Sequence, residues 1–107
     1  MEERILFSKL DPITEIDVIC WMNSLHSRTI NKTVNQIVIA ESRNKIARIP
    51  NEFSHTNQVE PLRCRLIFRS KAALSFLTKI PKGEYKATLV KIIRRHLEKS
   101  KALPSAL

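Results

Sequence analysis

The stretch Arg63-Cys64-Arg65-Leu66-Ile67-Phe68-Arg69 constrains the fold of this chain more than any other. Read with a period of two, it places Cys64, Leu66 and Phe68 on one face and Arg63, Arg65, Ile67 and Arg69 on the other. That is a short strand with an apolar back and a cationic front. Such a strand cannot stand alone. Its back needs helices, its backbone edge needs a partner strand, and its arginines need something anionic to face.

The partner strand is sought first at Arg4 to Ser8, read with Ile5 and Phe7 inward and Arg4, Leu6 and Ser8 outward. Asp11-Pro12 then reads as a helix start, because Asp accepts from first-turn amides and Pro suits the first helical position. That helix runs to about Ser24 with Val18, Trp21, Met22 and Leu25 as its stripe, widened by Ile16, Ile19 and Cys20. Thr29 is placed to cap a second helix carrying Ile30, Val34, Ile37 and Val38. Residues 44–61 hold Pro50, Asn51, Ser54, Asn57 and Pro61 and read as a linker, with a short ordered piece at Ile46 to Ile49. After the basic strand, Lys71 to Lys79 is a helix with Ala73, Phe76, Leu77 and Ile80 on one side. Pro81-Lys82-Gly83 turns the chain into a last helix, Glu84 to Lys99, built on Tyr85, Leu89, Ile92 and Ile93. Residues 101–107 form a flexible tail.

A shift of 55 residues lays the first two helical stripes on the last two, and a shift of 61 lays Arg4-Ile5-Leu6-Phe7 on Arg65-Leu66-Ile67-Phe68. Order, spacing and residue type agree, which predicts an internal duplication. One strand and two helices are too small to bury a core, whereas two such units together are not. The expected architecture is therefore mainly α with a short two-stranded antiparallel ribbon, a β-α-α unit repeated. Residues 1–43 and 62–100 form its two copies, and together they make one domain.

Charge decides the class of partner. The chain carries +9, and the excess lies in its second half: Met1 to Ser54 has seven Lys/Arg against seven Asp/Glu, and His55 to Leu107 has twelve against three. A block of that kind marks a surface for nucleic acid or for an acidic membrane. No apolar run approaches a membrane span, and Met1-Glu2-Glu3-Arg4 lacks the layout of a signal peptide. Cys20 and Cys64 fall on apolar faces, which fits free thiols in a reducing cytoplasm. Neither these cysteines nor His26, His55 and His96 show the spacing of a metal site. With scattered carboxylates and a single glycine, Gly83, nothing points to catalysis, a cofactor or a small-molecule substrate.

Strand Arg63 to Arg69, helix Lys71 to Lys79, turn Ile80-Pro81-Lys82-Gly83-Glu84 and helix Tyr85 to Lys99 together resemble a ribbon-helix-helix protein. The turn is similar to those of plasmid partition, mobilisation and relaxosome accessory members. The resemblance implies that two antiparallel strands enter the DNA major groove and read bases with outward side chains. The readers would be Arg65, Ile67 and Arg69, with Arg4, Leu6 and Ser8 as their counterparts. Phosphates would be held by Arg63, by Lys82, Gly83 and Lys86 at the start of the last helix, and by Arg28, Thr29 and Lys32 at the start of the second. Glu84 departs from the Ser or Thr common there and repels phosphate. A ribbon made within one chain would be asymmetric, so its DNA half-sites should differ.

The expected function is thus a non-enzymatic, sequence-specific binder of double-stranded DNA. It would act as a transcriptional repressor or as a partition or relaxosome factor, in the cytoplasm of a bacterium and encoded there or by a phage or plasmid. Self-association or cooperative binding on DNA is a further expectation. The alternative is a small basic interaction protein, an antitoxin or phage-encoded inhibitor, that binds an acidic partner. RNA binding is disfavoured because exposed aromatics for stacking are lacking.

Overall fold

In the computed structural model, which describes residues 3–25, 29–47 and 60–102, two strands pair antiparallel into one sheet. They are β1 (Arg4–Leu10) and β2 (Leu62–Phe68). The register sets Ile5 opposite Ile67, Leu6 opposite Leu66, Phe7 opposite Arg65, Ser8 opposite Cys64 and Lys9 opposite Arg63. Opposite residues share a face of the sheet. Leu6, Ser8 and Leu10 therefore lie with Leu66, Cys64 and Leu62 on the side that meets the helices.

This register corrects the expected faces of the first strand. Phe7 is 76% exposed and Ile5 is also exposed, whereas Leu10 is buried and Leu6 packs against the core. Arg4, Leu6 and Ser8 are thus on the inner side. A one-residue change of register inverts every side chain of a strand, and the register sets Leu6 and Leu10 opposite the inner residues Leu66 and Leu62 of β2.

Four helices cover the inner side: α1 (Ile16–Ser24), α2 (Ile30–Ser42), α3 (Lys71–Thr78) and α4 (Tyr85–Ala102). α1 starts later than Asp11-Pro12 suggests. Asp11 and Glu15 close a turn first: the Glu15 amide donates to the Asp11 carbonyl at 2.8 Å, and the Asp11 amide donates to Glu15 Oε1 at 2.7 Å. The Asp11 carboxylate accepts from Ile13 at 2.7 Å, so it shapes the turn and does not cap the helix. At α3, Ser70 is a true cap, its Oγ accepting from the Ala73 amide at 3.1 Å. Thr29 makes no such side-chain bond at α2. Gly83, at φ 92°, turns the chain into α4; a Cβ there would touch nothing, so the backbone angle alone demands glycine.

Trp21, Ile19 and Val18 of α1, Val34, Ile37 and Val38 of α2, Phe68 of β2 and Leu77 of α3 are fully buried. α4 adds Leu89, Val90, Ile92, Ile93 and Leu97, a wider apolar side than its expected stripe, and it runs past Lys99 to Ala102. α2 is the hub, packing mainly on β2, α3 and α4, whereas α1 packs mainly on β1 and α4.

The expectation of two tandem ribbon-helix-helix copies is overturned. Among the described residues there are one two-stranded antiparallel sheet and four helices, a single β-α-α unit with extra helices. α2 has 13 residues and α4 has 18, α1 follows a closed turn while α3 follows a serine cap, and α1 and α3 meet different neighbours. Alignment of helical stripes by a constant shift follows from the 3.6-residue period alone and does not make helices equivalent. Most of the expected linker, including Pro50, Asn51, Ser54 and Asn57, and residues 103–107 of the tail lie outside the described residues. No described helix is long and apolar enough to cross a membrane.

Candidate nucleic-acid interface

The outer face of the sheet is built by alternation. β1 contributes Ile5, Phe7 and Lys9, and β2 contributes Arg63, Arg65 and Ile67, with Arg69 just past its end. Arg63, Arg65 and Ile67 therefore project where the sequence predicts. Arg69 is on that face too, but its Nε lies 3.0 Å from Glu3 Oε2. Both groups are well exposed, so this pair is weak and a competing phosphate can replace the carboxylate.

The first strand's predicted readers are elsewhere. Arg4 stacks its guanidinium over the Tyr85 ring, 5.1 Å from the centroid, and so fastens the start of β1 to the start of α4. Leu6 packs against the core, and Ser8 lines a small apolar cavity with Leu10, Val18, Met22 and Leu66. Ile5, Phe7 and Lys9 take their place on the outer face. Sequence reasoning missed Ile5 and Phe7 because it inverted the strand, and Lys9 because it ended the strand at Ser8. The signal was Leu10, which alternates with Ser8 and Leu6 and so gives that side a second leucine.

The free edge of β2 is closed by α2. Asn31 Oδ1 accepts from the Ile67 amide at 2.7 Å, and Asn35 Nδ2 donates to the Ile67 carbonyl at 3.0 Å. Both main-chain groups of Ile67 are thereby satisfied by side chains one helical turn apart. The clamp also fixes the start of α2 against the ribbon, where Lys32, Gln36, Arg69 and Ser70 line a shallow groove with Ile39 and Ile67. An asparagine pair four residues apart on a polar helix side was the readable sign of it.

Of the predicted phosphate contacts, Arg63, Lys32, Thr29, Lys82 and Gly83 are exposed. Lys86 is instead 3.0 Å from Glu15 Oε1, held by the turn before α1. Arg28 lies outside the described residues, as do His26 and His55. Among the described residues no group of three or more His, Cys, Asp or Glu is placed to hold a metal ion. Burial pushes the Cys64 thiol up, and its Sγ rests 3.5 Å from Met22 Sδ on the inner side.

The electrostatics separate two basic regions. On α4, Arg94 Nε lies 2.9 Å from Asp17 Oδ2 and its Nη2 donates to the Thr14 carbonyl at 2.6 Å. The Arg94 hydrogen bonds hold the Asp17 carboxyl below the usual range. Arg95 pairs with Glu41, which also meets the buried His96 at 3.1 Å. His96 accepts the Ala47 amide on Nδ1 at 3.1 Å, so its proton is on Nε2, towards Glu41. Burial, with Arg95 and Lys99 nearby, holds the imidazole below its ordinary value of 6.5. Lys9, Arg63 and Arg65 on the ribbon, by contrast, have no carboxylate partner among the described residues. Glu15, Asp17 and Glu41 pair with cations of α4, and of the ribbon's described cations only Arg69 has a carboxylate partner.

Compared with protein-family models, curated proteins and solved structures, the chain matches none.

Proposed function

We propose that this protein binds double-stranded DNA sequence-specifically, with the outer face of the β1–β2 ribbon in the major groove and no catalytic step. The observation that carries this reading is the cluster of Lys9, Arg63 and Arg65, exposed together on one rigid face without described carboxylates to neutralise them. A two-stranded ribbon fits a major groove about 12 Å wide, and an arginine there offers two parallel donors to guanine O6 and N7. Lys32 and Lys82, at the starts of α2 and α4, supply charge for flanking phosphates. The resemblance to ribbon-helix-helix proteins supports this docking mode, and with it a role in repression or in partition or conjugation of a plasmid or phage.

Titration of selected and random duplexes across a salt series tests the reading. Arg65→Ala should lose about 1–3 kcal/mol on the selected duplex and clearly less on random DNA. Equal losses on both would refute base reading. Affinity erased by moderate salt on every duplex favours the basic interaction protein instead.

A further inference from the structure

The ribbon's outer face has a direction. Its central pair is Phe7 opposite Arg65, flanked by Ile5 opposite Ile67 at one end and Lys9 opposite Arg63 at the other. Half a turn about the axis normal to the face exchanges Phe7 with Arg65, Ile5 with Arg63 and Lys9 with Ile67. Every exchange trades an apolar side chain for a cation. A ribbon of this kind cannot present the same chemistry to the two halves of a palindrome.

Resting on the proposed DNA reading, we infer that the ribbon docks in one orientation on a non-palindromic duplex, with Phe7 and the Ile5–Ile67 end against thymine methyl groups and the Arg65 and Lys9–Arg63 end against guanine and phosphate. The thymine C5-methyl is the apolar group that base pairs show in the major groove, and a phenyl ring is among the side chains that contact it. Phe7 is 76% exposed and Ile5 36%, a costly way to leave large apolar groups unless something covers them. Outward residues two apart along a strand are separated by about 6.8 Å, two base-pair steps of about 3.4 Å, so Ile5 to Lys9 spans about four steps. The apolar and cationic ends thus address different base pairs of one short site. Stacking on unpaired bases is the competing use of an exposed ring, but strand-binding surfaces lay several rings along a groove. Phe7 is the single exposed aromatic among the described residues.

The test uses the full chain and a library of random-sequence duplexes. Binding should enrich a non-palindromic core with thymine towards one end and guanine towards the other. Replacing each thymine of the enriched duplex by uracil removes one methyl at a time. One such change should weaken the wild type by about fourfold, the weight of a single buried methyl. The same change should leave Phe7→Ala indifferent, and Phe7→Leu should keep part of the sensitivity. Palindromic winners, indifference of the wild type to uracil, or a uracil effect that persists in Phe7→Ala would each overturn the orientation and leave the DNA reading standing. Tighter binding to the single strands, lost in Phe7→Ala, would overturn it in favour of base stacking. If no duplex is enriched, the DNA reading fails and the orientation fails with it.

Discussion

β1 and β2 are the same length, lie side by side and bury their inner residues against the same helices, yet only one of them declares its faces in sequence. In β2 two arginines, with Arg69 just past the strand's end, alternate with Cys64, Leu66 and Phe68, and no other assignment keeps the charges out of the core. In β1 both alternating sets contain large apolar residues, Ile5 and Phe7 against Leu6 and Leu10, so period alone cannot choose. The choice is made by the partner. Antiparallel pairing puts Leu6 and Leu10 over the residues already committed inward by β2, and Phe7 is left beside Arg65. A strand with charge on one side fixes its own register, whereas an apolar strand borrows it from its neighbour.

The sharpest way to break that comparison uses one residue type on both strands. Phe68 is fully buried on β2, and Phe7 is largely exposed on β1. Phe68→Ala should cost about 3–5 kcal/mol of folding stability through lost transfer and a cavity. Phe7→Ala should stay within about 0.5 kcal/mol, as for a surface site away from any cap or network. Chemical denaturation of the two variants decides it. Comparable losses would mean that β1 is paired one residue away from the register described.

A second difference is at the outer edge of β2, which α2 closes at Ile67 through Asn31 and Asn35. Removing the acceptor with Asn31→Ala strands the Ile67 amide in a partly covered position, at a cost of about 1–3 kcal/mol. Hydrogen exchange at the Ile67 amide should accelerate beyond what the global loss explains. Unchanged exchange would show that the ribbon holds its shape without the clamp.

These cases also show how far the sequence was legible. The helices and their buried stripes follow from apolar periodicity and are found near the expected residues, because a 3.6 period with one wet side has a single solution. The pairing of the N-terminal strand with the basic one was readable from an unsatisfied edge and an arginine front. The equivalence of the two halves was not, since matching stripes say nothing of why α2 packs mainly on α3, α4 and β2 and α1 mainly on β1 and α4. Within the site, Arg63, Arg65 and Ile67 were legible from alternation. Phe7 was hidden by the ambiguity of β1 and Lys9 by a strand read as ending at Ser8, and the ties of Lys86 to Glu15 and of Arg4 to Tyr85 depend on a fold that brings distant segments together.

The two basic regions offer a finer comparison. If the ribbon alone faces the duplex, Arg63→Ala and Lys9→Ala should weaken binding to random as well as to selected sequences. Each should also lower the slope of log K against log salt by about 1. Arg94→Ala, which removes a cation already paired with Asp17, should leave that slope unchanged. A salt slope that responds to Arg94 would move the DNA onto α4.

The smallest expected effect concerns pH, and it separates the body of the protein from its ribbon. His96 is buried and neutral between the Ala47 amide and Glu41, with Arg95 and Lys99 disfavouring its charged form and Glu41 favouring it. Its folded pKa is lowered, so between that value and 6.5 the unfolded chain binds more protons than the folded one. The stability this group contributes is complete above 6.5 and is lost as pH falls through the folded pKa. Protonation removes the acceptor for the Ala47 amide while the Glu41 contact survives, which keeps the loss modest. In His96→Gln the acid-side slope of stability should flatten over that window. The outer face of the ribbon carries no histidine, so DNA affinity per folded molecule should not follow the same curve. If affinity and stability titrate together, the ribbon is coupled to the α2–α4 contact, and the separation of the two basic regions fails.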